Sequence, residues 1–201
     1  MELPKKFKSK ESDHVRYGFT SPSTGVKIKQ DFYVSRAVAL TGLIFANTQE
    51  GIKVLIAKRS KSMRDSPEML GLPCGYLNWD ETRHEGMMRE VYEETSFYMP
   101  IYEPYLIYNN YSQPILTKDD PKELHQNISH IYISVYDFVD STDFFMTEIE
   151  KFKCKETEWV KWLPIKEFFE KYYYKNSWAF GHNETINMGW KHWNDLEYNK
   201  K

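Results

Sequence analysis

The alternation of apolar and polar stretches along this chain predicts a mixed succession of strands and helices. Residues 1–30 are basic and polar and carry the turn-forming run Ser21-Pro22-Ser23-Thr24-Gly25, which reads as an N-terminal arm or hairpin. Residues 32–46 are apolar and β-branched enough for a buried strand. Asn47 to Gly51 reads as a hairpin turn, and Ile52 to Ala57 as the returning strand. A polar loop, Lys58 to Pro67, precedes a short apolar run, Leu70 to Gly75, that reads as a strand ending in breakers. Residues 101–111 and 128–139 have strand character, with a polar loop from Ser112 to Asn127 between them. A second, acidic loop from Asp140 to Glu156 leads into a strand at 158–162. Pro164 opens a helix through about Tyr174, and 183–195 can form a last helix. No repeat or low-complexity segment interrupts residues 31–201, which read as a single domain with C-terminal helices.

The stretch from Gly75 to Phe97, GYLNWDETRHEGMMREVYEETSF, carries the chemistry. On a helix at 83–95, turning about 100° per residue, Glu90, Glu93 and Glu94 fall within an arc of roughly 100°. Met87, Met88, Val91, Tyr92 and Thr95 cover the other side. Three carboxylates that close repel one another and raise each other's pKa. A merely solvated acidic face usually relieves this with lysines at i+4, and here the one nearby cation is Arg89. A hard divalent cation would also relieve it, and an all-oxygen set suits Mg²⁺ or Mn²⁺. Gly75 would let backbone approach a phosphate closely or take a positive φ. Asp80 or Glu81 is placed for the helix start, where the dipole favours an acid.

Gly75 is followed by Glu81, then by Arg89-Glu90, Val91 and the pair Glu93-Glu94. This spacing resembles the G-x5-E-x7-R-E-U-x-E-E-x-G-U signature of the Nudix hydrolases, where U is a bulky apolar residue. Six fixed residues would align by chance in about one in 10^5 chains of this size. The chain departs from the pattern at Ser96, where the family has glycine, and at Cys74, where the family usually has the first glycine of Pro-Gly-Gly. Arg36 within V-S-R-A-V and the segment at 159–168, WVKWLPIKEF, are similar to the family's first-strand and late-strand patterns. The resemblance spans roughly residues 32–170.

The resemblance implies an α/β (α+β) fold with a mixed β-sheet in an α/β/α sandwich. It implies Mg²⁺- or Mn²⁺-dependent hydrolysis of the pyrophosphate bond in a nucleoside diphosphate linked to another moiety. Carried over position by position, Glu90, Glu93 and Glu94 hold the metal and Arg89 orients them. Gly75 and Glu81 belong to the loop that meets the substrate. A later carboxylate often completes such a site or acts as base; Glu148, Glu150, Glu156 and Glu158 are the candidates, with Glu156 favoured. Arg36 and Arg59 come from the strands leading into the Gly75–Phe97 stretch, and either could fork a phosphate.

Composition narrows the partners rather than the reaction. The net charge is −2, which gives no bulk drive toward nucleic acid or an anionic membrane. The expected partner is a small-molecule nucleoside diphosphate derivative, and a homodimer is left open. Two cysteines, Cys74 and Cys154, far apart in sequence, argue against a disulfide framework or structural zinc and for a reduced cytoplasm. No apolar run is long enough for a transmembrane helix, and the charged N-terminus does not read as a signal peptide. His182 reads as a helix-start or core residue rather than a ligand.

Substrate choice is the least determined feature. Ser112-Gln113-Pro114 is similar to the opening of an array in NADH pyrophosphatases but diverges at Ile115. The long polar loop and the many aromatics, 15 Tyr, 12 Phe and 6 Trp, favour ADP-ribose, a nucleotide sugar or a dinucleotide. The alternatives are a house-cleaning nucleoside triphosphate pyrophosphatase or RNA-cap hydrolase and, from another class, a non-catalytic nucleotide-sensing Nudix domain. The isomerase branch of the fold would need a cysteine context that Cys74 and Cys154 do not supply.

Overall fold

The computed structural model describes residues 14–20, 27–33, 38–110, 116–119, 128–139 and 142–198. The chain divides into two compact units, Met1–Ala37 and Val38–Lys201. Within the first, β1 (His14–Thr20) pairs antiparallel with β2 (Lys27–Tyr33) as a two-stranded sheet.

The second unit is built on an eight-stranded mixed sheet among the described residues. Its strands are β3 (Val38–Thr48), β4 (Gly51–Arg59), β5 (Leu70–Gly71), β6 (Cys74–Tyr76), β7 (Leu106–Asn109), β8 (Leu116–Asp119), β9 (Ile128–Asp137) and β10 (Thr157–Pro164). The central order is β10-β4-β3-β9-β7, with β3 and β9 parallel and the other neighbours antiparallel. The short β5 extends from β4, β6 from β3 and β8 from β9.

Both faces of this sheet are buried, so its central strands read as nearly continuous apolar runs. Leu40, Ile44, Leu55, Tyr132 and Tyr136 point to one face. There they pack with Met87 and Val91 of α1 (Arg83–Thr95), Met99 and Tyr102 of α2 (Met99–Tyr102), and Met146 and Ile149 of α3 (Phe144–Glu150). Leu43, Phe45, Val54, Ile56, Ile131 and Ile133 point to the other. They meet Ile165 of α4 (Ile165–Glu167), Phe168 of the π-turn that continues it, and Ile186 and Trp193 of α5 (His182–Tyr198). The result is an α/β/α sandwich, as the sequence implies.

Four local expectations need correction. The strand expected at 32–46 begins at Val38; Phe32 and Tyr33 belong to β2 instead. The segment 101–111 is strand only from Leu106, because Pro100 and Pro104 sit in the first turns of α2 and of a 3-10 turn at Glu103–Tyr105. Tyr102 there stacks on Phe97 at 4.3 Å. The acidic loop expected at 140–156 contains α3, which is capped by Asp143 accepting from the Phe145 amide at 2.9 Å. Neither Asp80 nor Glu81 caps α1. Thr82 does, in a capping box with Glu85: the Glu85 amide donates to the Thr82 hydroxyl, and the Glu85 carboxylate accepts from the Thr82 amide.

Candidate active site

The carboxylate helix α1 lies close on the sheet because β3 makes room for it. A Cβ on Gly42 would stand 2.3 Å from Val91 Cγ2, so only glycine lets the two elements approach this far. That contact turns Glu90, Glu93 and Glu94 toward β6 and a cleft of about 1120 Å³. Its lining includes the three glutamates, Gly75, Arg59, Glu156, Phe180 and His182. Of the four later carboxylates considered, only Glu156 lies in this cleft. Glu158 pairs with Lys58 and Glu148 with Lys151, while Glu150 accepts from the Trp162 amide.

Of the two reasons the sequence offers for Gly75, close approach to a phosphate or a positive φ, the second does not apply, and the packing adds a third. A Cβ there would stand 2.2 Å from the Glu90 carboxyl carbon. The glycine therefore makes a seat for Glu90. Cys74 likewise has no positive φ, so the lost glycine of Pro-Gly-Gly leaves no strain at that position. Its backbone amide donates to Glu94 Oε2 at 2.9 Å. Ser96 does keep the left-handed C-cap at φ 62°.

Arg89 knits the cluster together. Its Nε and Nη2 donate to the two oxygens of Glu81, at 3.0 and 2.7 Å. Its Nη1 donates to Glu90 at 2.6 Å and Glu93 at 3.0 Å, and Nη2 also reaches the Tyr76 carbonyl at 3.0 Å. All five guanidinium N–H groups are thus engaged. Glu81 is the far half of this brace and also accepts from the Asn78 amide at 2.7 Å. It is not among the residues that line the cleft, and its hydrogen bonds brace Arg89 from behind.

The electrostatics differ from carboxylate to carboxylate. Glu94 is 8% exposed, and burial pushes its carboxyl up to about 8 against the opposing pull of the Cys74 amide. Burial also raises Glu90, offset by the hydrogen bond from Arg89. The same guanidinium holds Glu81 below the usual carboxylate range. The negative charges of Glu93 and Glu156 push Glu90 up further, and those of Glu90 and Glu156 do the same to Glu94. Among the described residues no three acidic, histidine or cysteine side chains converge as a finished metal cage. The cleft nonetheless gathers four carboxylates, Glu90, Glu93, Glu94 and Glu156, and among the described residues no cation stands at bonding distance from Glu94. That set fits a hard divalent ion.

The other site residues fare differently. Arg59 lines the cleft; Arg36 lies outside the described residues. His182 is the first residue of α5, buried, and its Nδ1 accepts from the Leu72 amide at 3.0 Å, in keeping with its reading as a core histidine. Phe180, Arg64 and Lys155 also line the cleft and were not singled out from sequence. For Phe180 the available signal was an aromatic before Gly181 and a helix start.

The NUDIX domain family matches residues 35–183, and the chain belongs to that family. No curated protein matches the sequence. Among solved structures, the NUDIX domain of Shewanella oneidensis NrtR complexed with ADP ribose aligns with a TM-score of 0.59 at 16% identity, over 80% of this chain and 90% of that one. A bifunctional NMN adenylyltransferase/ADP ribose pyrophosphatase from Francisella tularensis, complexed with AMP and a Mn ion, aligns with a TM-score of 0.56 at 17% identity, over 80% of this chain and 42% of that one. A MutT/nudix family protein from Enterococcus faecalis aligns at 0.57 and 15% identity, over 82% and 64%. At these identities the likeness is one of fold. Hydrolases of this family generally use divalent metals. No described helix is long and apolar enough to cross a membrane.

Proposed function

We propose that this chain is a Mg²⁺- or Mn²⁺-dependent pyrophosphohydrolase acting on a nucleoside diphosphate linked to a further group, with ADP-ribose, a nucleotide sugar or a dinucleotide favoured. The observation that carries the reading is the intact carboxylate set: Glu90, Glu93, Glu94 and Glu156 line one cleft, and Arg89 and Gly75 fix the first of them in place. Glu90, Glu93 and Glu94 would hold the cation, and the chemistry it supplies when bound is neutralisation of the pyrophosphate oxygens and acidification of a water. Arg89 and the Cys74 amide orient the carboxylates, so the site is arranged before substrate arrives. Glu156 would take the proton from the attacking water; its place in the cleft lining supports it over Glu148, Glu150 and Glu158. Arg59 supplies positive charge from the opposite strand end. The free thiols Cys74 and Cys154 suit a reducing cytoplasm.

A second reading, a nucleotide-sensing domain that binds without cleaving, has one observation in its favour: the fold neighbour from NrtR is described in complex with ADP ribose. Both readings are tested by incubating the protein with ADP-ribose, NADH, a sugar nucleotide, a dinucleoside polyphosphate, capped RNA and 8-oxo-dGTP, with Mg²⁺ and with EDTA. AMP and ribose 5-phosphate from ADP-ribose, only with Mg²⁺, support the hydrolase. Tight binding of ADP-ribose without turnover supports the sensor. A tenfold or greater lead for 8-oxo-dGTP or the cap overturns the substrate preference and leaves the reaction class standing.

A further inference from the structure

Two described residues other than glycine that line the cleft hold left-handed backbone: Ser66 at φ 50° and Phe180 at φ 52°. A bulky aromatic at positive φ is rare and persists only where its surroundings enforce it. Here the enforcement is visible. The Leu70 amide donates to the Ser177 carbonyl at 2.7 Å, and Leu70 bridges to Trp178. Just past the end of β5, the Leu72 amide donates to His182 Nδ1. His182 lies over Gly71, where a Cβ would come within 3.4 Å of Nδ1. The segment 177–182 is thus fastened to β5 and the residue after it on both sides of Phe180, and Phe180 between the fasteners is 45% exposed.

Both strained positions bear on one side chain. The ring of Phe180 lies under the Arg59 guanidinium, 5.1 Å from ring centre to Cζ. Asp65, the residue before Ser66, turns its carbonyl to accept from Arg59 Nε at 3.2 Å and Nη2 at 3.0 Å. Among the described residues these are the contacts the Arg59 side chain makes. One face and one edge of the guanidinium are held by uncharged groups, while its charge is not matched by a carboxylate at bonding distance. A ring and a carbonyl fix the orientation of the fork without neutralising it, which is what recognition of an anion needs.

We propose that Phe180 is a positioning residue: it holds Arg59 with its remaining edge toward the cleft, where Arg59 takes an oxygen of the substrate's pyrophosphate. The inference rests on the pyrophosphate cleft of the proposed function, but it can be tested by binding alone. The cleanest variant is Phe180→Gly, which removes the ring and suits the left-handed backbone, so it is expected to melt no lower than wild type. Phe180→Tyr keeps the ring face and serves as the conservative control. Calorimetry with inorganic pyrophosphate and Mg²⁺ is run on wild type, Phe180→Gly, Phe180→Tyr, Arg59→Ala and the Arg59→Ala/Phe180→Gly double variant.

The expected result is a loss of about three- to tenfold in affinity for Phe180→Gly. It should shrink to near nothing in the Arg59→Ala background, with wild-type affinity kept by Phe180→Tyr. In turnover of ADP-ribose the same loss is expected chiefly in KM. Equal losses from Phe180→Gly with and without Arg59, or unchanged affinity, overturn the proposal. Wild-type protein that binds no pyrophosphate overturns it as well. Pyrophosphate binding with the coupled pattern, but no turnover of any substrate, defeats the hydrolase reading and leaves this one in place.

Discussion

Two arginines flank the carboxylate cluster, and they are used in opposite ways. Arg89 directs all five of its N–H groups to three glutamates and a carbonyl. Arg59 bonds a carbonyl and an aromatic ring and leaves its charge unmatched. The first is internal scaffolding: a half-buried fork whose loss would strand Glu81 and Glu90. The second is held but not neutralised, and its charge remains available to a ligand. The difference teaches that a guanidinium in an active cleft is classified by what its hydrogens already do, not by its distance from the acids.

The largest expected effect falls on the carboxylates that both arginines serve. Glu93→Gln and Glu94→Gln should each lower kcat by about 10²-fold or more while the protein stays folded, because the amide is nearly isosteric and the Cys74 amide keeps its acceptor. Circular dichroism and steady-state kinetics on ADP-ribose check this pair. Undiminished turnover in either variant, or full turnover in EDTA, would remove the carboxylates from the reaction.

The comparison itself is broken or sharpened by paired alanine variants. Arg89→Ala should cost about 2 kcal/mol of stability, since it leaves the part-buried carboxylates of Glu81 and Glu90 without their donors. Arg59→Ala should cost about 1 kcal/mol or less, the scale of one cation–π contact, yet raise KM for a pyrophosphate substrate. Urea unfolding of the two variants decides: equal destabilisation would show that Arg59 is scaffolding too.

A third test uses pH. Folding moves Glu94 from an ordinary carboxyl to about 8, so the folded state binds that proton more tightly than the unfolded chain. Its contribution is fully present below about 4.5 and is lost as pH rises toward about 8. Glu90 is raised as well and has the same sign; Glu81 and Glu85 are lowered and favour the opposite slope in the acid range, and His84 and His130, lowered by burial, oppose it near neutrality by less than the large Glu94 shift contributes. Metal-free protein should therefore melt lower at pH 8 than at pH 5.5. Millimolar Mg²⁺ should restore the loss at pH 8, because a cation replaces the proton and stabilises in proportion to ln(1 + [L]/Kd). Thermal melts at the two pH values, with EDTA and with Mg²⁺, check the sign; Glu94→Gln should flatten the metal-free slope.

Much of the carboxylate side of the site was legible in the sequence, because its spacing is local: one helix turn sets which faces Glu90, Glu93 and Glu94 share. Helix α1 ends where the pattern said, and Ser96 keeps the left-handed cap that the missing glycine would have taken. The Arg59 side was not legible. Phe180 meets Arg59 only because Leu70 and Leu72 fasten Ser177 and His182, more than a hundred residues away. Helix α3 was hidden for a simpler reason: its acidic composition masked Met146 and Ile149, three residues apart, which point into the core. Gly75 shows a third kind of failure, where the residue was found but its purpose was not; the spacing marks the glycine, and only the three-dimensional packing shows Glu90 seated against it.

The smallest effect separates two left-handed residues, one at each side of the comparison. Ser96 sits at φ 62° behind α1, and Phe180 at φ 52° beneath Arg59. At both positions glycine removes a steric penalty of about 1 kcal/mol, offset in part by the greater freedom glycine gives the unfolded chain. Ser96 holds no catalytic partner: its amide donates to the Tyr92 carbonyl, a backbone bond that glycine keeps. Ser96→Gly should therefore raise stability by up to about 1 kcal/mol, or about 2–4 °C in melting temperature for a chain of this size, with kcat and KM unchanged. Phe180→Gly should also keep or raise stability but weaken pyrophosphate recognition. If both glycine variants stabilise and neither alters KM, the strain at Phe180 is an incidental turn like that at Ser96, and the distinction between the two arginines loses its structural cause.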